Sequence, residues 1–414
     1  MSPPSTLPPC SFHSFGTMSY LAYLLERVEA DGRNTKTGLY LDAIHSSEIF
    51  NKIIDSTPKP NAMTKLEEVD RDETCLLGVA GDVVMMLIDG LLDIEGVEKC
   101  IGEVESAELE VCLSLLISTR NLRMEGRDLR QNDQWTITTN SRKVTAPQLH
   151  LSTGSHPSRL DLHTPYPNIS VLDLDQVMIL SSLPSLLPAN KKSVVGIIGN
   201  SHSGILAAMN LWTIASSSSS SHIFGNEKKK KEEGEKEEKK EKRDLKIINF
   251  QRREILFAEY RDDGIVWDNS GLKGRTAEWA REHMSNTSKE GESESKDGII
   301  KQIRFDLSPD SEDELYKRYL PQLTHLIYAV GYVRNPLPPI SINSNKVKDE
   351  ELEFDMHSSG FHYNNQRAKG LYGTGIAFPE ETEDPEGHVE AAVGFGKFVK
   401  FAERVKGEWG RVTA

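Results

Sequence analysis

The feature of this sequence that most constrains its fold is a glycine-bounded turn between two apolar runs. The turn is Gly199-Asn200-Ser201-His202-Ser203-Gly204. Residues 194–198 before it read VVGII, the pattern of a buried strand, and residues 205–212 after it read ILAAMNLW, the pattern of a buried helix. A turn at such a junction offers backbone N–H groups and the positive end of a helix dipole to a diphosphate. The segment therefore predicts a dinucleotide-binding strand–turn–helix unit.

Each position of the turn has an expected task. Gly199 permits the tight turn, and Gly204 allows the helix to approach the strand closely. Ser201 stands where the usual G-x-G-x-x-G pattern has its second glycine, so it narrows the space and offers a hydroxyl group. We expect Gly199, Asn200, Ser201, Ser203 and Gly204 to bind the cofactor. The alternative is a turn of the same composition without a ligand.

The next predicted strand, KIINF at residues 246–250, runs into Gln251-Arg252-Arg253. Arginine at this strand end accommodates a 2′-phosphate, whereas an acidic residue would accept a hydrogen bond from the 2′-hydroxyl of NADH. Gly199 and Arg252 are 53 positions apart, but only 25 when residues 216–243 are left out as an insertion. The sequence therefore predicts that Arg252 and Arg253 select NADPH over NADH. A surface arginine pair without a ligand is the alternative.

The composition narrows the class of protein. A chain of 414 residues is long enough for two domains. Its net charge of −14 disfavours binding to nucleic acid. Without an apolar run of about 20 residues or a secretory leader, the protein is expected to be cytoplasmic and not membrane-bound. Its four cysteines lack the spacing of a redox pair or a zinc site, so no metal site is expected.

Strands that alternate with helices predict an α/β protein with parallel sheets. Helices are predicted at residues 20–28, 38–100 and 389–405, and strands at residues 111–118, 134–140 and 148–154. Six serines and a Lys/Glu-rich run indicate a disordered surface insertion at residues 215–243, with a transient helix or a localisation signal as alternatives. Residues 284–298 are polar and are predicted to form a loop.

Four further motifs, in this order along the chain, carry a family resemblance. They are Asn34-Thr35-Lys36, HLSTGSHP at residues 150–157, LIYAVGY at residues 326–332 and GLYGTG at residues 370–375. Together with the turn, they resemble the flavin-containing and N-hydroxylating monooxygenase superfamily, and in particular monooxygenase-like oxidoreductases of fungi. The resemblance covers roughly residues 30–410.

The resemblance implies a two-dinucleotide-binding-domain, Rossmann-like flavoprotein with FAD and NADPH as cofactors. Its NADPH domain, residues 166–320, is inserted in a discontinuous FAD domain formed by residues 1–165 and 321–414. Asn34 is the expected flavin-facing catalytic residue. The cofactor-binding residues that the resemblance adds are Thr153, Gly154, Ala329, Gly331 and Gly375.

The resemblance also implies the chemistry. NADPH reduces FAD, and a flavin hydroperoxide formed with dioxygen oxygenates a nitrogen, sulfur or carbonyl carbon of a small-molecule substrate. The alternatives are an NADPH dehydrogenase or oxidase without oxygen transfer, and a nucleotide-binding protein without catalysis. A flavin reductase of the disulfide class would need a redox cysteine pair that this sequence lacks.

The sequence departs from the family at two places. It opens with MSPPSTLPPCSFHSFG instead of a strand, a G-x-G-x-x-G turn and a helix. Phe15-Gly16 and a helix from Tyr20 are the expected remnant of that FAD-binding unit, with its first strand lost by truncation or by a misplaced start. Ile376 stands where many relatives have an aspartate that contacts the flavin.

Overall fold

The structure is a computed structural model, which describes residues 14–15, 37–72, 77–100, 102–110, 134–216, 243–284 and 291–411. Several predicted features lie outside these residues: Asn34, Gly16, the helix at 20–28, the strand at 111–118 and most of the insertion at 215–243. The helices are α1 Thr37–His45, α2 Glu48–Ser56, α3 Ala62–Glu67, α4 Leu77–Leu92, α5 Leu174–Val177, α6 Leu183–Leu186, α7 His202–Ser216, α8 Gly274–His283, α9 Glu312–Tyr319 and α10 Phe395–Arg411.

The strands form one six-stranded sheet, two five-stranded sheets and short two-stranded ribbons. They are β1 Ser14–Phe15, β2 Val104–Glu110, β3 Gln134–Thr139, β4 Lys143–Ala146, β5 Leu149–Leu151, β6 Ser155–Pro157, β7 Ser170–Leu172, β8 Ser193–Ile198, β9 Leu245–Gln251, β10 Glu259–Arg261, β11 Gly264–Val266, β12 Glu292–Glu294, β13 Ile300–Arg304, β14 His325–Tyr328, β15 Tyr332–Arg334, β16 Ile340–Ile342, β17 Asn345–Val347, β18 Glu353–Asp355, β19 Gly360–Tyr363, β20 Gln366–Gly373, β21 Glu381–Glu383 and β22 Val389–Ala391.

A six-stranded sheet, which we call the coenzyme sheet, has the order β12-β13-β9-β8-β14-β7. Its neighbouring strands are parallel except for the β12–β13 pair at the edge. Its two faces are covered by separate apolar clusters, one containing Ile197 and Ile247 and the other containing Phe250 and Leu326. Burial on both faces explains why these strands read as continuous apolar runs. The α/β fold class with a Rossmann-like sheet is confirmed.

The strand order of the coenzyme sheet reverses between β8 and β14. From β8 the chain proceeds to β9 and β13 on one side and then returns to β14 on the other side. In open α/β sheets, ligands bind in the crevice at the carboxyl ends of the strands where the order reverses. The predicted turn, which follows β8, lies at this crevice.

The second large sheet has the order β1-β5-β20-β19-β18. We call it the flavin-side sheet because it carries the motifs at residues 150–157 and 370–375, which are expected from the sequence to border FAD. Strands β1, β5 and β20 are parallel, whereas β19 and β18 continue antiparallel. This sheet packs against the sheet β17-β16-β2-β3-β4 around a core that includes Leu149, Phe361 and Leu371. The carboxyl ends of β5 and β20 therefore lie side by side and bring two predicted motifs together.

A two-stranded antiparallel ribbon connects these parts of the molecule. In it, β6 pairs with β15, with Ser155 opposite Arg334 and Pro157 opposite Tyr332. All strands of the coenzyme sheet lie between these two strands in the sequence. The chain therefore leaves the flavin-side part through β6 and returns to it through β15.

Helices α1 to α4 form a layer of their own, as the apolar pattern of residues 38–100 predicted. Their core includes Leu41, Ile44, Leu66 and Val83, and α10 packs beside α1. No helix among the described residues is both long and apolar enough to cross a lipid bilayer.

Three elements correct the sequence predictions. Ser14–Phe15 pairs in parallel with His150–Leu151, so a short form of the first strand is retained where the sequence predicted its loss. Glu292–Glu294 is a strand within the predicted loop at 284–298, because backbone pairing with β13 stabilises it despite its polar side chains. Residues 389–391 belong to a β-hairpin, and the last helix begins only at Phe395.

The start of the predicted insertion also changes. Ala215 and Ser216 end helix α7, so they do not belong to the predicted insertion at 215–243. Strand β14 pairs with β7 and β8 in the coenzyme sheet, although it follows the predicted domain boundary at residue 320. The pairing of β14 depends on contacts distant in sequence, which local patterns do not record.

Candidate nucleotide-binding site

The turn after β8 has little room for side chains. Gly199 has φ +114°, and a Cβ atom on it would lie 2.2 Å from the carbonyl oxygen of Ala329. A Cβ atom on Gly204 would lie 2.4 Å from the carbonyl oxygen of Gly199. Both clashes are with backbone atoms, which cannot rotate away. Close approach between the turn, the helix and β14 therefore requires glycine at both positions.

The first turn of α7 faces the end of the sheet with free backbone donors. The first hydrogen bond into the helix joins the N–H of Ile205 to the carbonyl of Ser201 at 3.0 Å. The N–H groups of the preceding helical residues have no acceptor within the helix. Ser201 is exposed, and Ser203 is half-buried beside it. This arrangement suits a diphosphate group, so the residues present fit a dinucleotide.

Asn249, which sequence reasoning missed, holds the turn from below. Its side chain is fully buried in β9, and its Nδ2 donates to the carbonyl of Gly199 at 2.8 Å. The side-chain Nε2 of Gln251 in turn donates to Oδ1 of Asn249 at 2.6 Å and approaches Oε1 of Gln302 at 3.2 Å. The sequence feature that could have identified it is the pair of amide side chains, Asn249 and Gln251, in the otherwise apolar strand KIINFQ. Polar groups in a buried strand are usually hydrogen-bonded.

Asn200 connects the turn to the predicted arginines. Its Nδ2 donates to the backbone carbonyl of Arg253 at 2.7 Å. The sequence predicted Asn200 as a cofactor ligand, and the structure shows that its side-chain amide also fixes the distance between the turn and the end of β9. Residues 199–204 and 252–253 therefore form one continuous surface at the sheet edge.

The two arginines differ in their surroundings. Arg252 is ion-paired with Glu312, with Nη2 and Oε1 3.1 Å apart. The hydrogen bond to Glu312 raises the pKa of Arg252 above its ordinary value. Arg253 is exposed and has no ion pair among the residues that the structure describes. Sequence reasoning found both arginines but not Glu312, which is distant in sequence.

His202 begins helix α7 and is held neutral. Burial, assisted by the positive charge of Lys273, lowers its pKa to about 4. Lys273 is ion-paired with Asp268, and Nζ of Lys397 lies 2.6 Å from Oδ2 of the same carboxylate. Because Lys397 belongs to α10, this cluster joins the coenzyme sheet's unit to the C-terminal part of the chain beside the turn.

The hairpin β21–β22 extends that contact. The imidazole of His388 stacks on the indole of Trp267, with ring centroids 3.7 Å apart. The carboxylate of Asp384 accepts hydrogen bonds from the N–H groups of Trp267 and His388, at 3.0 and 2.9 Å. Burial alone would raise the pKa of Asp384, but these hydrogen bonds hold it well below its usual value. His388 therefore lies in a hairpin contact, and the last helix, which the sequence predicted to begin at residue 389, begins only at Phe395.

On the flavin side, the turn after β5 is tied to the strand that returns the chain. Gly154 has φ +74°, and its carbonyl accepts from the N–H of Asn335 at 3.0 Å. Nδ2 of Asn335 also donates to the carbonyl of Thr153 at 2.8 Å. Thr153 and Gly154, which belong to the motif at residues 150–157, are thus positioned by Asn335, three residues after the motif at 326–332.

The turn after β20 meets the turn after β5. Oγ of Ser152 lies 2.8 Å from Oγ1 of Thr374, next to Gly375. Gly375 and Gly331 have φ of +75° and +101°, and a Cβ atom on either would meet nothing within 4 Å. Both glycines therefore face open space. The Oγ of Ser155 is buried and lacks a hydrogen-bond partner among the described residues, so a donor remains for a bound group.

The predicted site residues therefore fall into two groups. Ala329 is buried and lies against Gly199, so it belongs with the coenzyme turn. Thr153, Gly154 and Gly375 lie together at the end of the flavin-side sheet, and Gly331 lies at the far end of the ribbon between the two groups. The open space beside Gly375 and the buried, unpaired Oγ of Ser155 leave room and a donor for a bound group at this end of the sheet. Asn34 lies outside the described residues.

Comparisons with known proteins identify the family. No family model matches the chain. Over 383 residues the chain is 35% identical to monooxygenase AgnR1 of Paecilomyces divaricatus, which covers 91% of this chain and 85% of that protein. The chain belongs to this monooxygenase family. The monooxygenase part of the family resemblance that the sequence motifs carried is thereby confirmed.

Two solved structures that resemble this chain share little sequence identity with it. L-lysine 6-monooxygenase of Pseudomonas syringae is 10% identical, covers 94% of this chain and 88% of its own, and has a TM-score of 0.43. An ornithine N-hydroxylase of Kutzneria sp. 744 is 11% identical, covers 85% and 80%, and has a TM-score of 0.44. At these scores the family assignment depends on the sequence relative alone.

Proposed function

We propose that this protein binds FAD and NADPH and transfers one oxygen atom from dioxygen to a small organic molecule. The observation that carries the proposal is the turn 199–204 at the point where the strand order of the coenzyme sheet reverses. Membership in a monooxygenase family supports the type of reaction. In the overall reaction, substrate, dioxygen, NADPH and one proton give oxygenated substrate, NADP⁺ and water.

The residues of the coenzyme sheet bind and orient NADPH. The N–H groups of the first turn of α7 donate to the diphosphate, and Gly199 and Gly204 allow it to approach the backbone. Ser201 and Ser203 add hydroxyl donors at the exposed side of the turn. Arg253, with Arg252 beside it, meets the 2′-phosphate through charge-assisted hydrogen bonds. His202, which is neutral, adds no charge to the site.

The turns of the flavin-side sheet would hold FAD. We assign Thr153, Gly154, Gly331 and Gly375 to it because one family pattern predicts them. Gly331 and Gly375 face open space, and Gly154 directly precedes Ser155, whose Oγ is buried and has no partner among the described residues. When bound, FAD supplies the redox chemistry, taking a hydride from NADPH and reacting with dioxygen. The protein excludes water and aligns the groups. Asn34 stays a predicted flavin contact.

We also propose the domain arrangement in refined form. The flavin-binding part consists of the residues before β6 and after β15, and the NADPH-binding part lies between these strands. This division differs from the predicted boundaries at 165 and 320 because it follows the ribbon and the pairing of β14.

The test combines absorbance with oxygen accounting. Purified protein should be yellow, and NADPH oxidation under air should be coupled to an oxygenated product from a panel of amines, sulfides and ketones. Hydrogen peroxide equal to the NADPH consumed with every substrate would contradict oxygen transfer and support an oxidase. Colourless protein that binds NADP⁺ would support a nucleotide-binding protein without catalysis. The Gly204→Val variant is the control in which coenzyme binding is lost.

A further inference from the structure

The two arginines at the end of β9 are not equivalent, although the sequence places them next to each other. Arg252 shares its guanidinium with Glu312, whose Oε1 lies 3.1 Å from Nη2 and 3.4 Å from Nε. Arg253 is held by its backbone through Asn200, while its side chain is exposed. Among the described residues, Arg253 therefore has the guanidinium that a 2′-phosphate can take without breaking an ion pair.

Glu312 is positioned independently of its contact with Arg252. It is the first residue of α9, and the N-cap of that helix is provided by a reciprocal pair of hydrogen bonds between Ser311 and Glu314. Aromatic packing holds the helix against β9, because the ring centroids of Tyr316 and Phe250 are 5.4 Å apart. The carboxylate of Glu312 is therefore not needed as a cap and is held beside the arginine.

The charges favour a particular effect on coenzyme choice. A 2′-phosphate carries between one and two negative charges near neutral pH, so a carboxylate beside its arginine repels it. The same carboxylate can accept a hydrogen bond from the free 2′-hydroxyl of NADH. The carboxylate of Glu312 is therefore expected to weaken the binding of NADPH and to strengthen the binding of NADH.

We propose that Glu312 is a specificity-determining residue that weakens the preference for NADPH and lets the protein also use NADH. The inference rests on the proposed coenzyme site at residues 199–204. Arg253 then supplies the main contact to the 2′-phosphate, and the Arg252–Glu312 pair sets how far NADPH is preferred.

The experiment measures the dissociation constants of NADP⁺ and NAD⁺ by calorimetry with the full-length protein. Wild type is compared with Glu312→Gln, which keeps the shape of the side chain, and with Asp313→Asn. Asp313 is exposed on the same helix, so its variant removes the same charge beside the site. Glu312→Gln should tighten NADP⁺ by about threefold to fivefold and weaken NAD⁺ by about twofold. Asp313→Asn should leave the ratio of the two constants within about 1.5-fold of wild type.

The outcomes separate the two proposals. An unchanged NADP⁺/NAD⁺ ratio in Glu312→Gln, with binding intact, would overturn the role of Glu312 and leave the coenzyme site standing. An equal shift in Asp313→Asn would also overturn it, because a general charge effect would then explain the result. Wild-type protein that binds neither coenzyme would contradict the proposed function itself.

Discussion

The coenzyme turn and the flavin-side turns use glycine in two different ways. At the coenzyme turn, Gly199 and Gly204 are packed against backbone atoms, so a side chain cannot fit. On the flavin side, Gly331 and Gly375 have positive φ but face open space. At the first site, closely packed backbone atoms exclude side chains, whereas the turns of the second site surround open space. Substitutions at the first should change folding and binding together, and those at the second should change binding more than folding.

The largest expected effect is that of Gly204→Val. Its side chain would meet the carbonyl group of Gly199, so the helix must move away from β8. We expect NADP⁺ binding to weaken at least 100-fold, and the free energy of unfolding to fall by about 3 kcal/mol. Calorimetry and urea denaturation measure the two quantities.

Two glycines serve as controls for that substitution. Gly375→Ala, with positive φ and open space, should lower the free energy of unfolding by only about 1–2 kcal/mol and reduce flavin content. Gly407→Ala, within α10 and without close neighbours, should stabilise the protein by about 0.5–1 kcal/mol. If Gly375→Ala were as destabilising as Gly204→Val, the distinction between the two sites would be wrong.

The next effect concerns acid stability on the flavin side. His150 is buried in β5 against Tyr372, and burial lowers its pKa to about 4. Because the folded-state pKa lies below the unfolded value, the stabilisation is complete above about pH 6.5 and is lost as the pH falls towards 4. In His150→Phe, the fall in the free energy of unfolding between pH 6.5 and 4 should be smaller by about 2–3 kcal/mol, as measured by urea denaturation across that range.

The exposed His357→Asn variant is the reference for that pH profile, and it should keep the wild-type slope. An unchanged slope in His150→Phe would show that His150 does not contribute to the loss of stability between pH 6.5 and 4.

A smaller effect separates the two regions by function. Asn249→Leu removes the donor to the carbonyl of Gly199 and should weaken NADP⁺ binding about tenfold, since a buried acceptor loses its partner. Asn335→Leu removes the donor to the carbonyl of Thr153 and should reduce flavin content without changing NADP⁺ affinity. Loss of NADP⁺ affinity in both variants would indicate that the regions are not separable.

The sequence predicted the parts of each region that are contiguous along the chain. The strand, turn and helix around Gly199 obey a local pattern of apolar spacing and glycine, and so does the strand that precedes Arg252. Asn249 gave only a weak signal, as a polar residue in an apolar strand. Glu312, Lys397 and Asp384 come from distant segments, and only the tertiary fold brings them to their partners Arg252, Asp268 and Trp267.

Two missed strands have a more local cause. Residues 292–294 and 389–391 were not predicted as strands because pairing with the backbone of a nearby strand, and not a side-chain pattern, stabilises them. The flavin-side motifs were recognised in sequence, but the ribbon β6–β15 that joins them became visible only from the pairing.

The smallest expected difference is that between the two arginines. Arg253→Ala should weaken NADP⁺ about tenfold, because it removes a charge-assisted contact to phosphate, while NAD⁺ changes less than twofold. Arg252→Ala should weaken NADP⁺ by only about threefold, since Glu312 already shares its charge. Calorimetric titration of each variant with both coenzymes gives the ratios. Equal losses of affinity for NADP⁺ and NAD⁺ would show that the arginines do not contact the 2′-phosphate.

The most direct test of two communicating nucleotide sites is to mix the purified protein with NADPH in the absence of oxygen and follow the absorbance of oxidised flavin. We predict that the absorbance disappears in wild type and persists in Gly204→Val, because the flavin is present in both while the coenzyme turn is intact only in the first. A flavin absorbance that NADPH leaves unchanged in wild type would contradict the account.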